Sequence, residues 1–174
     1  MGYFYEEIYK LKKLVRTGWI ETVHGTNRLE SDAEHCFSCC MLALKIISEK
    51  KLNLNQEKVL KMLMFHELGE IDVGDIPANS GFPAQKKYEK EKRGVKRIAK
   101  KFNMPEMLEL WEEFESFETP ESRFCKMIDK LDTIMQANEY SSETQNFEIF
   151  EEFYNTSKER IEGYEEYLQN KNKH

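Results

Sequence analysis

The sequence predicts an all-α protein folded as a single domain. Three observations carry that expectation: apolar residues recur every three or four positions along most of the 174 residues, no alternating apolar–polar run is long enough to specify a strand, and only 4 prolines interrupt the chain. A chain of this length can bury most of its apolar surface without a disulfide or a structural metal, so a metal held here is expected to serve function. No internal repeat or shift in composition marks a boundary. Residues 1–174 read as one domain, with 143–174 a C-terminal helical extension packed on the rest.

The elements follow in order. Tyr3 to Arg16 reads as a first helix. Ser31 with Glu34 forms a capping box, and Ala33, Phe37, Met41, Leu44 and Ile47 then repeat at helical spacing as the apolar face of a helix reaching Lys51. His35 stands in its first turns. Asn55 caps a third helix, in which Val59, Leu60, Leu63 and Met64 lead to His66. Glycines and prolines between Gly69 and Pro83, Pro77 among them, mark Gly69 to Gly81 as an ordered loop, a type of segment that often carries chemistry on a helical scaffold.

Ala84 to Phe102 is a strongly charged helix, with Lys86 to Lys101 read as a solvated face from which Lys86, Lys87 or Arg93 could reach a substrate. Asn103 and Pro105 then read as the N-cap and first-turn proline of the next one. Thr119-Pro120 repeats the signal ahead of Phe124, Met127, Ile128, Leu131, Ile134 and Met135. From Glu143 the tail is helical and aromatic, with Phe147, Phe150, Tyr154, Tyr164 and Tyr167 read as core or dimer contacts.

Composition excludes several functions. With 33% charged residues and a net charge of −6, a broad attraction to polymeric nucleic acid or an anionic membrane is not expected, although a local basic pocket could take a mononucleotide. The N-terminus shows neither a secretion signal nor a myristoylation motif, and no stretch reaches membrane-spanning length. Cys36, Cys39, Cys40 and Cys125 lie in apolar helical patterns and read as reduced thiols of a cytoplasmic protein; Cys36-x-x-Cys39 lacks the second pair a zinc site needs.

Three stretches carry the chemistry: Glu30-Ser31-Asp32-Ala33-Glu34-His35, Phe65-His66-Glu67-Leu68-Gly69-Glu70 continuing to Asp75, and Ile128-Asp129-Lys130-Leu131-Asp132. Each places imidazoles or carboxylates in an apolar helix, where an unpartnered polar group is costly. Taken singly, His35 or His66 would read as a core histidine bonded to a carbonyl, and the acidic run after Glu67 as a solvated loop. Taken together, two imidazoles with one or two carboxylates suit a divalent first-row transition metal with open positions for water.

In order and spacing these motifs resemble the HD-domain metal-dependent phosphohydrolases, most closely the small subgroup similar to 5′-deoxynucleotidases, over roughly Leu11 to Tyr140. The resemblance implies an HD-type helical bundle with His35, His66, Glu67 and Asp129 as metal ligands. Asp132, on the same helix as Asp129, is the rival for the late ligand, and Glu67 departs from the family's aspartate by one methylene. It further implies that Glu70 activates a water, that Asp75 orients it or shuttles its proton, and that Arg16 and Trp19 hold the substrate's phosphate and sugar, with Arg28 a rival to Arg16. Of the 4 histidines only His24 and His174 remain beyond the motifs, so one metal ion per chain is expected, with Mn, Co, Ni, Zn and Fe as candidates. The implied activity is release of phosphate from a (deoxy)nucleoside 5′-monophosphate by a homodimer. The alternative is a metal- or nucleotide-binding module whose catalysis Glu67 has detuned.

Overall fold

Helix boundaries fall where side chains or left-handed residues can satisfy the terminal backbone groups. In the computed structural model, which describes residues 2–76 and 80–168, the long helices are α1 (Gly2–Lys13), α3 (Asp32–Lys50), α4 (Gln56–Phe65), α6 (Ala84–Phe102), α7 (Glu106–Ser116), α8 (Pro120–Thr144) and α9 (Glu148–Ser157). Two short ones, α2 (Thr17–Thr22) and α5 (Glu70–Val73), and two 3₁₀ turns at Lys158–Ile161 and Glu165–Leu168 complete the set. No strand occurs among the described residues, so the chain is all-α; its one extended contact is an isolated antiparallel bridge, Val15 to Ser31. Pro77 of the expected loop and residues 169–174 of the expected extension lie outside the described residues.

The capping box at the start of α3 is present: the Glu34 backbone N–H donates to Ser31 Oγ, and Glu34 Oε2 accepts from the Ser31 backbone N–H at 2.9 Å. Asn55 caps α4 by accepting from the Lys58 N–H, and Thr119 with Ser122 caps α8. Two expected boundaries move. The first helix stops at Lys13, because the bridge to Ser31 draws Val15 and Arg16 into extended backbone. Asn103 closes α6 instead of opening α7; its φ of 52° is the left-handed cap that asparagine tolerates.

The apolar face of α3 is also rotated from the one its large residues suggest. Phe37 and Met41 are 69% and 53% exposed, while Cys36, Cys39, Ala43 and Ile46 face inward. The inward face carries His35 and small side chains, which let α3 approach α8 closely. Cys39, Ala43, Ile46, Val59, Met62, Leu63, Ile128, Leu131 and Ile134 form the main core between α3, α4 and α8. A second cluster around Trp111 joins α7 to α6 and Leu11, and a third joins Trp19, Val23, Ala137, Tyr140 and Ile149. Ile161 and Tyr167 belong to the main core, and Phe150, Tyr154 and Tyr164 pack against it, so these tail aromatics are interior material.

α1 is strapped to α6 by charge. Glu7, 2% exposed, accepts from Arg97 Nη1 and Nη2 at 2.9 and 3.0 Å and from Lys101 Nζ, while Arg97 also binds Asp72 of α5. The Arg97 hydrogen bonds, opposed by burial and aided by Lys101, hold the Glu7 carboxyl down at about 2. A carboxyl depressed on folding contributes stability that is complete above its usual value near 4.5 and is lost as pH falls toward 2. Glu7→Gln is therefore expected to lower unfolding free energy by about 1–3 kcal/mol at neutral pH and to shrink the gap to wild type in acid, read by urea titration at several pH values.

Candidate metal centre and active site

Four segments meet at one cavity of about 610 Å³, three of them lining it and α3 holding the buried His35 against Asp129 of the lining. The Val15–Ser31 bridge, with Arg16 N–H donating to Glu30 O at 3.2 Å and Asp32 N–H to Leu14 O at 2.9 Å, fixes Arg16 beside the start of α3. α3 carries His35 inward. α4 ends at His66, where the chain turns so that Glu67 and Glu70 face the same space, and α8 supplies Asp129. The turn packs tightly on α6: a Cβ built on Gly69 would stand 2.6 Å from Glu91 Cβ. Gly74, at φ 81°, then reverses the chain toward Asp75.

His35, His66, Glu67 and Asp129 each bring a donor atom into a set lying within 4.8 Å of one another. The side of each imidazole away from this set is already engaged. His35 Nδ1 lies 2.8 Å from Asp132 Oδ2, and His66 Nδ1 lies 2.7 Å from the Leu63 carbonyl. Both partners are acceptors, so each Nδ1 bears the proton and each Nε2 presents its lone pair inward. His35 Nε2 faces Asp129 Oδ1 at 3.3 Å and Glu67 Oε1 at 3.7 Å; His66 Nε2 faces Glu67 Oε1 at 3.3 Å and is buried without a hydrogen-bond partner. Four electron-pair donors facing one another in a buried space are what a divalent cation reconciles, so the residues fit such an ion. The extra methylene of Glu67 does not carry its carboxylate away, since Oε1 reaches both rings.

Asp132 is the orienting partner of His35, and its other oxygen accepts from Ser38 Oγ at 2.6 Å. Cys39 Sγ stands 3.7 and 3.6 Å from the two ring nitrogens of His35; near-equal distances place the sulfur over the ring and off the nitrogen lone pair.

Beyond the four donors, the cavity wall is charged. Arg16 donates to Glu67 Oε1 at 2.9 Å, its side chain 14% exposed and lining the cavity, whereas the Arg28 side chain is 74% exposed and pairs with Glu34. Asp75 Oδ2 accepts from the Thr17 N–H at the start of α2. Glu70 is 6% exposed with Oε2 unpartnered, and burial, joined by the charges of Glu67 and Asp75, pushes its carboxyl up to about 11. Asp32, fully buried with neither oxygen hydrogen-bonded, stands with Glu70 and Asp75 in a second acidic group and is pushed up to about 8, chiefly by burial. Trp19 borders the cavity but is 1% exposed; its indole N–H donates to Glu30 Oε2 and its ring packs on Tyr140 and Phe153.

Sequence reasoning missed several members of this site. Asp32 lies inside the first motif, where its position gives no sign that both oxygens are buried. Lys87, expected on a solvated face with some prospect of reaching the substrate, touches Glu70 instead, and Glu91 had no signal of its own. The wall formed by Phe153, Thr156 and Arg160 from the tail had no local signal, because only the docking of α9 against α8 brings it there.

The chain is 31% identical over 153 residues to a 5′-deoxynucleotidase of Dictyostelium discoideum, covering 83% of this chain and 80% of that one. A solved structure from Pyrococcus furiosus, described as a conserved hypothetical protein, superposes with a TM-score of 0.76 at 27% identity, covering 97% of this chain and 94% of its own. Another, from Magnetospirillum magnetotacticum and described as a predicted metal-dependent phosphohydrolase, gives 0.71 at 27% identity, covering 91% and 82%. A family profile described as HD domain matches residues 8–168, nearly the whole chain, and the protein accordingly belongs to the HD-domain family.

Proposed function

We propose that the protein hydrolyses phosphate monoesters, with (deoxy)nucleoside 5′-monophosphates as substrates and one divalent transition-metal ion, Mn, Co, Ni, Zn or Fe, at His35, His66, Glu67 and Asp129. The observation that carries this reading is the pair of inward-facing Nε2 atoms with two carboxylates, of which His66, Glu67 and Asp129 line one cavity with Glu70 while His35 is buried against Asp129. Similarity to 5′-deoxynucleotidases supports the substrate class.

The ion, when bound, acts as a Lewis acid that makes a water acidic enough to attack near neutral pH and stabilises charge on the phosphoryl oxygens. The remaining work falls to side chains. Arg16 spends one of its five N–H donors on Glu67 and offers others to the phosphate. Glu70, whose buried carboxyl a nearby cation would bring back toward its charged form, takes the proton of the attacking water as that water's oxygen bonds to phosphorus and the bond from phosphorus to O5′ breaks. Asp75, tied to the first turn of α2, orients that water or relays the proton to the leaving O5′. Trp19 backs the wall against which the sugar lies.

Two further expectations belong to this reading. Phe37, Met41 and Leu44 on α3 and Met64 on α4 leave large apolar side chains exposed, which supports a homodimer joined through that face. Four cysteines without a disulfide support a reducing, cytoplasmic setting, and no helix among the described residues is long and apolar enough to cross a membrane.

The test is metal analysis of protein purified without added metal, then a phosphate-release screen over ribo- and deoxyribonucleotides, with light scattering on the same preparation. One equivalent of transition metal, release from 5′-monophosphates and a dimer mass are expected. Protein that binds metal and nucleotide but releases no phosphate with any candidate ion would favour the detuned module instead.

A further inference from the structure

α6 carries a second functional pair toward the site. Lys87 and Glu91 lie one turn apart on the face that meets the turn at Gly69, where the absence of a side chain lets the Glu91 backbone approach. The Lys87 side chain is 27% exposed and its ammonium meets three acceptors: Glu70 Oε1 at 3.3 Å, the Ile76 carbonyl at 2.7 Å and Glu91 Oε1 at 3.3 Å. Glu70 and the Ile76 carbonyl take two of the ammonium's three N–H donors as hydrogen bonds, and Glu91, whose Oε1 receives no hydrogen bond, balances its charge at 3.3 Å. Glu91 is 8% exposed and Lys87 is the cation beside it.

Resting on the hydrolase reading above, we propose that Lys87 is a positioning residue for Glu70 and for the loop that carries Asp75, with Glu91 holding the ammonium in place. By binding Oε1 it turns the unpartnered Oε2 of Glu70 to the cavity. Through the Ile76 carbonyl it pins one flank of Asp75, whose own carboxylate is pinned by Thr17. The two carboxylates assigned to proton transfer are thus set relative to each other by a single side chain from a different helix. Binding of substrate is left to Arg16 and the ion.

Steady-state phosphate release by Lys87→Met and Lys87→Arg, with metal content and thermal unfolding measured alongside, tests the role. Lys87→Met is expected to lose roughly 10- to 100-fold in kcat with KM within about threefold and metal content unchanged, and Lys87→Arg to recover a substantial part of the loss. A raised KM with intact kcat would make Lys87 a substrate contact and overturn the proposal, as would unchanged kcat, or an Arg variant no better than Met. If Lys87→Met does not fold, Glu91→Gln decides: kcat reduced severalfold at unchanged KM supports the proposal, and wild-type kcat overturns it. An active wild type with a silent Lys87 sinks this inference alone, whereas a wild type inactive on every phosphate ester sinks the hydrolase reading and Lys87's role with it.

Discussion

His66→Ala is expected to abolish metal retention and turnover together. His66 Nε2 is one of two neutral nitrogen donors, buried and unpartnered, and its loss leaves Glu67 and Asp129 as the chief remaining donors around His35. Two carboxylates and one imidazole hold a first-row ion less well than the full set, and binding to a weakened site competes with protons. Losing the Lewis acid removes several kcal/mol of transition-state stabilisation, about 10³-fold in rate at roughly 1.4 kcal/mol per decade. The fold should survive, because outside the proposed ligand set the ring's contacts are few: the Leu63 carbonyl, Cys36 and Phe114. Circular dichroism, elemental analysis and phosphate release on one preparation check it; a folded variant that keeps both metal and activity would remove His66 from the ligand set.

Glu70→Gln separates the proton acceptor from the ion. The amide keeps the size of the side chain and an oxygen for Lys87, but it cannot accept a proton from water. Turnover should fall roughly 10²-fold or more while metal content and substrate affinity stay near wild type. Burial and the charges of Glu67 and Asp75 already favour the neutral form of this carboxyl when no ion is bound, so a neutral amide of the same size costs the fold little, and the variant should unfold at a temperature no lower than wild type. Catalytic loss without stability loss is the signature of a group kept for chemistry. Equal activity in Glu70→Gln and wild type would exclude it from the mechanism.

Much of this was legible in the chain because the informative signals were local. The capping box at Ser31, the Asn55 cap and the Thr119-Pro120 start each depend on residues within one turn of one another, and the structure keeps all of them. The His66-Glu67 pair and Asp129 stood out for the same reason: polar groups in an apolar helix need a nearby partner. What escaped depended on which way a helix faces. In α3 two sets at helical spacing, one of large apolar residues and one of small side chains with His35, lie on different faces, and period alone does not say which turns inward. The burial of His35 decides it. Glu91, and the contact Lys87 makes with Glu70, escaped because a charged helix looks solvated until Gly69 admits its backbone, and which group Asp132 serves is fixed only by the packing of α8 on α3.

The wall built from Phe153, Thr156 and Arg160 has a consequence for synthesis. The proposed metal donors span His35 to Asp129, but the cavity wall lacks Phe153, Thr156 and Arg160, and the main core lacks Ile161 and Tyr167, until the tail has docked. During synthesis a nascent chain that has not yet exposed residues 149–168 therefore carries every proposed donor and no finished pocket, and the tail closes over an already assembled cluster.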